Sequence, residues 1–476
     1  MGAGACGSPS RACETSFPAP LFPRPEAPPT IWRLLREELA RGSSVNLAFI
    51  LGNLLIQLVA SLALASYLGP QGVGAFAVGM LVLETSMILV NLPSAAFVRE
   101  FAAQEEAQAL STVAALKLVL CLPAVAAILV LSAPLAALFG VPATLIATLA
   151  FYPPLGAVAS VATMVFESRR DMGRRNLPGL TESLGRLTAV GFLVSGASLM
   201  ATRPESAAVA WTLGAVPAAL VALALARFPD LRLAHLGRAR EYFSFGWRTS
   251  LAHLLQKELL WVGTAAIYLA YIGVSVADAQ TRSGLFKVAY SLMFYIVLFG
   301  AAVPAMVYPM LSRAFALPEA AARGREVHRL FSLAFFYELI IALPLAGALV
   351  LGGPLAFSTV LPAFGPSAPL AQALSLSGVL FCLTLPAATL LPAANRPDLV
   401  LRLFVLPGAV ALALNVLLVP QTAAPWGGAV GAILADWAAA GVGFAYALVL
   451  VRSLGVPPPS FALFRQALSK HPPAGQ

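Results

Sequence analysis

Residues 45–66 read VNLAFILGNLLIQLVASLALAS, an apolar run without a charged side chain. Its length matches the roughly 20 residues that an α-helix needs to cross a hydrocarbon core about 30 Å thick. Runs of the same kind recur outward from it. Gly72–Leu92, Leu110–Leu131, Thr144–Phe166, Leu180–Met200 and Ala207–Ala226 complete a first set. Trp247–Tyr271, Gly284–Val307, Leu330–Leu351, Leu370–Leu391, Val400–Val419 and Ala429–Val451 form a second. The pattern predicts an all-α integral membrane protein of about twelve transmembrane helices.

Composition agrees. The 476 residues are 59% hydrophobic and 11% charged, against roughly 25% charged in soluble domains. A water-soluble fold has no means of hiding that much apolar surface. The formal net charge of +9 is spread over short loops rather than gathered on one soluble face, which excludes nucleic acid as a partner and suits anionic lipid head groups. The four cysteines, Cys6, Cys13, Cys121 and Cys382, have no metal-ligand spacing, and neither a disulfide framework nor a metal site is expected. Phosphate loops, Ser-His-Asp sets and cofactor fingerprints are absent as recognisable patterns, so no cofactor and no enzymatic activity are expected.

Orientation follows from Lys and Arg in alternate loops. Arg33, Arg36 and Arg41, then Arg99, Arg169–Arg175, Arg227–Arg248, Arg313–Arg329, Arg396, Arg402, Arg452 and Arg465 fall on one side; the other holds Arg203, Arg282 and Lys287. The arginine-rich side, with both termini, is expected to be cytoplasmic. On this reading residues 1–30, rich in Pro, Gly, Ser and Ala, form a disordered cytoplasmic tail without cleaved signal or lipid anchor, and 31–44 a basic cytoplasmic segment. Residues 45–226 form an N-terminal six-helix half, 227–246 a basic cytoplasmic linker, 247–452 a C-terminal six-helix half, and 453–476 a cytoplasmic tail. Pro153, Pro154, Pro217, Pro344 and Pro386 lie inside spans, where they kink helices.

The two sets resemble each other in order. Gly42-Ser-Ser-Val-Asn-Leu47-Ala48 pairs with Gly246-Trp-Arg-Thr-Ser-Leu251-Ala252, and Tyr67-Leu-Gly69 with Tyr271-Ile-Gly273. Gly74-Ala-Phe76-Ala-Val78 then pairs with Gly284-Leu-Phe286-Lys-Val288, and Arg99-Glu-Phe101-Ala102 with Arg313-Ala-Phe315-Ala316. Ordered matches of this kind predict two halves in the same membrane orientation, related by a pseudo-two-fold along the membrane normal, with a cavity between them.

These residues resemble the MOP exporter superfamily, specifically its Wzx-like polysaccharide flippases. Tyr67-Leu-Gly-Pro-Gln-Gly-Val-Gly-Ala-Phe-Ala-Val78 is similar to the family's LGPxGFGxYA element, and Gly284-Leu-Phe-Lys-Val-Ala-Tyr290 to its GLYxxAY element. The run from Val307 through Pro309 and Ser312 to Arg313, and the late segments Asn395-Arg396, Asn415–Pro420 and Gly428–Ala432, resemble further family patterns. Trp261-Val-Gly-Thr-Ala-Ala266 departs from them, because many relatives carry an acidic residue there. The resemblance implies movement of a lipid-linked oligosaccharide across the cytoplasmic membrane, head group in the cavity and lipid tail in the bilayer. Membrane lipids would be contacts, with a polysaccharide polymerase or glycosyltransferases as possible partners.

An ionisable side chain near mid-bilayer costs about 2.5–3.5 kcal/mol by insertion scales, so each marks a site or a structural pair. Lys257 shares a helical stripe with Ser250, His253 and Trp261 and is the first choice for a pyrophosphate contact; a salt bridge to Glu84 or Glu338 is the alternative. Lys117 and Lys287 are further anion contacts, and Arg282 is placed at the outer mouth. Asn46, Asn53 and Gln57 share one face of the first span, toward the cavity or as interhelical glue. Glu84, Glu338 and Asp436 sit near mid-span as ion-coupling groups or as structural partners. A multidrug or peptidoglycan-precursor exporter of the same superfamily is the rival reading, and a non-transporting scaffold of a polysaccharide-assembly complex the reading from another class.

Overall fold

A computed structural model describes residues 44–93, 106–168, 172–196, 202–226, 228–421 and 428–468. The expected tail 1–30, the end (469–476) of the expected tail 453–476, the repeat element at Arg99–Ala102 and residues 169–171 of the basic 167–175 loop lie outside the described residues. Val45–Gln476 forms one compact unit.

Among the described residues the elements are helical. They run α1 Ser44–Asn91, α2 Glu106–Phe139, α3 Ala143–Leu149, α4 Tyr152–Ser168, α5 Met172–Arg175, α6 Leu177–Val194, α7 Arg203–Gly214 and α8 Val216–Leu225. Then come α9 Ala239–Ile272, α10 Val276–Gly300, α11 Ala302–Phe315, α12 Ala320–Thr359, α13 Ser367–Ala393, α14 Pro397–Gln421, α15 Ala429–Ser453 and α16 Phe461–Leu468. Nine stretches of the described residues are long and apolar enough to cross a membrane. Large apolar side chains point outward, with Leu122 72%, Val130 73%, Leu351 84% and Leu355 68% exposed. Charged Lys117, Glu338 and Asp436 are buried instead. That inversion of the soluble pattern is what a lipid solvent selects. The chain is a multi-pass membrane protein.

Most expected spans coincide with one helix, and the differences have local causes. The first two spans are fused in α1, 48 residues long, because the turn between them is a single residue. Gly69 adopts φ 66 and ψ 173, a backbone region open to glycine, and Pro70 restarts the helix. The corresponding join in the second set is longer: α9 ends at Ile272, and Ser275 caps α10 through its hydroxyl to the Asp278 amide at 3.3 Å. Thr144–Phe166 is divided into α3 and α4 just before Pro153-Pro154, and Ala207–Ala226 into α7 and α8 just before Pro217. Thr202 and Glu205 form a capping box at the start of α7, and Glu205 also accepts from Thr144.

At the arginine-poor end the two sets meet closely. Tyr268 on α9 donates to the Phe139 carbonyl at the end of α2. Gln280 on α10 donates to the Gly140 carbonyl at 3.1 Å and accepts from Gln71 at 3.3 Å. At the arginine-rich end α16 packs on α12, with Phe336 and Phe464 rings 5.2 Å apart and the Ser460 amide donating to Ser332 Oγ at 3.0 Å.

Candidate functional site

The first arm of α1 carries a polar face at helical steps of four, Asn53, Gln57 and Ser61. Gln57 Nε2 donates to Ser183 Oγ on α6 at 3.2 Å, and Asn53 lies beside Gly179 one turn away on that helix. Ser61 shares a hydrogen bond of 3.2 Å with the Tyr295 hydroxyl on α10. This face therefore sits between a helix of the first set and a helix of the second. Asn53 Oδ1 is buried without a partner among the described residues. Asn46 carries a side chain outside the described residues.

The helices that meet this face, α6 and α10, and the second arm of α1 carry charged groups. Lys287 Nζ lies 3.2 Å from the centroid of the Trp261 ring, a cation–π contact between α10 and α9. Glu84, on the second arm of α1, lies within electrostatic reach of both Lys287 and Tyr152. On α6, Arg186 ion-pairs with Glu182 one turn earlier, donates to the Tyr152 hydroxyl at 3.0 Å and stacks on Trp211 at 3.8 Å. Sequence reading passed over Arg186. An i,i+4 Glu182/Arg186 pair inside an apolar run was the available signal, hidden because the pair is formally neutral.

The other expected residues fall in separate places. Lys117 is buried within the first set, donating to Asn91 Oδ1 at 3.0 Å and to Ser160 Oγ. Arg282 pairs with Asp278 on its own helix at 2.9 Å and lies over the Tyr271 ring at 4.5 Å, at the arginine-poor end. Glu338 is fully buried and accepts the Cys382 thiol at 2.7 Å, in a space that exists because residue 300 is glycine: a Cβ there would collide with both. Asp436 is buried beside the Tyr290 and Ser377 hydroxyls. Asp436 Oδ2, Tyr290 Oη and Ser377 Oγ complete no hydrogen bond by distance and angle among the described residues. Lys257 and His253 lie on α9, but their side chains are outside the described residues. No group of three or more His, Cys, Asp or Glu side chains capable of holding a metal occurs among the described residues.

The described residues thus form a lipid-facing helical membrane bundle with charged side chains buried inside each helix set. Solved structures agree on the fold. An inward-facing multidrug resistance MATE family transporter of the MOP superfamily is 15% identical, covering 87% of this chain and 99% of its own, with TM-score 0.63. An outward-facing one is 15% identical over 88% and 98%, TM-score 0.60. A MOP superfamily transporter from Pyrococcus furiosus, described by the reversed polarity of its binding pocket, is 16% identical over 89% and 97%, TM-score 0.60. The family model described as polysaccharide biosynthesis protein matches residues 39–315, more than half of the chain, and the chain belongs to that family. No curated protein matches it.

Proposed function

We propose that this transporter flips a lipid-linked oligosaccharide, a polyprenyl-pyrophosphate sugar, from the inner to the outer leaflet of the cytoplasmic membrane by alternating access, in polysaccharide biosynthesis. The observation that supports this most is the polar face Asn53–Gln57–Ser61, which contacts α6 and α10, the helices that carry Arg186 and Lys287. Cations beside neutral hydrogen-bonding groups, screened from lipid by two helix sets, suit an anionic, hydroxyl-rich head group. Lys257 belongs to the same α9 stripe as Trp261 and is assigned the same task. Lys117 and Arg282 are assigned to steps at other depths. Glu84, Glu338 and Asp436 are assigned to ion coupling. The halves 45–226 and 247–452 rock against each other, both termini face the cytoplasm, and the arginine-rich loops meet anionic lipid and the polymerase or glycosyltransferases that handle the same glycan.

Complementation tests this reading: the chain is expressed in a bacterium deleted for its own polysaccharide flippase. Restored surface glycan supports it. Persistent accumulation of lipid-linked precursor, with the chain inserted in the membrane, contradicts it.

A further inference from the structure

Arg186 and Trp211 form a stacked pair with spare donors. One side of the guanidinium is engaged, through Nη2 to Glu182 and to Tyr152 Oη. Arg186 Nε and Trp211 Nε1 are both shielded from solvent, and neither reaches an acceptor among the described residues. An indole N–H and a guanidinium donate only, so an acceptor beyond the described residues is needed to satisfy them. Each buried donor left unmade costs about 1–3 kcal/mol, and here two lie in one stack.

The stack is built rather than accidental. The helices α6 and α7 touch at Gly185 and Gly214: a Cβ on Gly214 would lie 2.6 Å from Arg186 Cγ and 2.7 Å from its Cα. The small residues bring Trp211 under Arg186, and Phe76 meets the indole edge-to-face at a centroid distance of 6.0 Å. Ser183, one turn before Arg186 on α6, accepts from Gln57, and Ser61 on the same face of α1 meets Tyr295 of the second set, which puts the pair beside the junction of the two sets.

We propose that Arg186 and Trp211 form an oxyanion site that takes the pyrophosphate of the transported lipid, an assignment that rests on the flippase reading above. The planar guanidinium fork matches phosphate oxygens, and the indole N–H adds a donor that water competes for poorly in a shielded site. Glu182 offsets part of the Arg186 charge, and the two free donors, Arg186 Nε and Trp211 Nε1, supply the remaining attraction.

The test is calorimetric titration of the detergent-purified full chain with farnesyl pyrophosphate, inorganic pyrophosphate and farnesol. Wild type is compared with Trp211→Phe, which keeps the stack and removes only the N–H, and with Arg186→Lys, which keeps the charge and loses the fork. The expected result is that each variant binds farnesyl pyrophosphate roughly tenfold more weakly, the effect of one charge-assisted hydrogen bond, while farnesol is indifferent to both. Equal affinity for farnesyl pyrophosphate in wild type and both variants overturns the site and leaves the flippase reading standing. Inorganic pyrophosphate bound as tightly and with the same sensitivity supports the oxyanion site but overturns its assignment to the lipid. A wild type that binds neither pyrophosphate overturns both. If Arg186→Lys does not fold, Trp211→Phe decides alone.

Discussion

Gly74 and Gly284, equivalent residues of the sequence repeat, meet each other in the structure: a Cβ built on Gly284 would lie 2.9 Å from the Gly74 amide nitrogen and collide with the Pro70 carbonyl. A Cβ on Gly74 would in turn collide with the Gln280 carbonyl. The second arm of α1 and the start of α10 therefore approach backbone to backbone at the arginine-poor end. Glycine permits that approach because it has no side chain to displace.

Gly284→Ala is expected to force α1 and α10 apart, costing about 1–3 kcal/mol as overpacking does. Gly191→Ala is the control, since nothing lies within 4 Å of the position a Cβ would occupy there. It is expected to be neutral or slightly stabilising. Thermal unfolding in detergent checks both, and equal midpoints would contradict the close crossing.

Lys117→Ala removes the donor to Asn91 and Ser160 and leaves a void inside the first set. A loss of about 2–5 kcal/mol is expected, from the cavity and the abandoned acceptors. Lys117→Met fills most of the volume and is expected to recover at least half of that loss. Denaturant or thermal unfolding of the pair reads the difference.

Glu338 and Cys382 predict a split between packing and charge. Gly300→Ala drives a methyl into both groups and is expected to lower stability by about 1–3 kcal/mol. Glu338→Gln keeps the shape and an acceptor for the thiol, so it is expected to fold like wild type. If Glu338 carries the coupling proton, transport by Glu338→Gln becomes insensitive to an imposed proton gradient. A gradient response equal to wild type would remove Glu338 from the coupling step.

Trp261→Leu takes the aromatic face from under Lys287 while keeping an apolar neighbour. The cation–π contact contributes on the order of 0.5–2 kcal/mol, so a modest fall in unfolding midpoint is expected. Double substitution with Lys287→Met is expected to be less than additive, because both changes remove one contact. Strict additivity would show that the two side chains do not act together.

The membrane class and most of the spans were legible in sequence because lipid imposes one length and one polarity on every crossing helix, although nine stretches of the described residues, against about twelve expected, are long and apolar enough to cross. The fusion of two spans into α1 was not, since Gly69-Pro70 reads as an ordinary turn and only φ at Gly69 shows the helix resuming without a loop. At the candidate site, Asn53 and Gln57 were legible from their shared face. Ser61 was not singled out, because a serine in an apolar helix commonly bonds its own backbone. Arg186 escaped because its partner lies four residues back. Contacts at sequence separations such as Lys287–Trp261 or Ser61–Tyr295 depend on tertiary packing that no local pattern encodes.

The most direct measurement is leaflet transfer of a fluorescent polyprenyl-pyrophosphate oligosaccharide in vesicles containing the purified chain. Wild type is expected to move the lipid. Stably folded Lys257→Ala and Lys287→Ala are expected to move it at least tenfold more slowly, as loss of a buried charged contact to phosphate dictates. A wild type that leaves this lipid in place yet exports cationic drugs under an ion gradient would contradict the account and establish the multidrug reading instead.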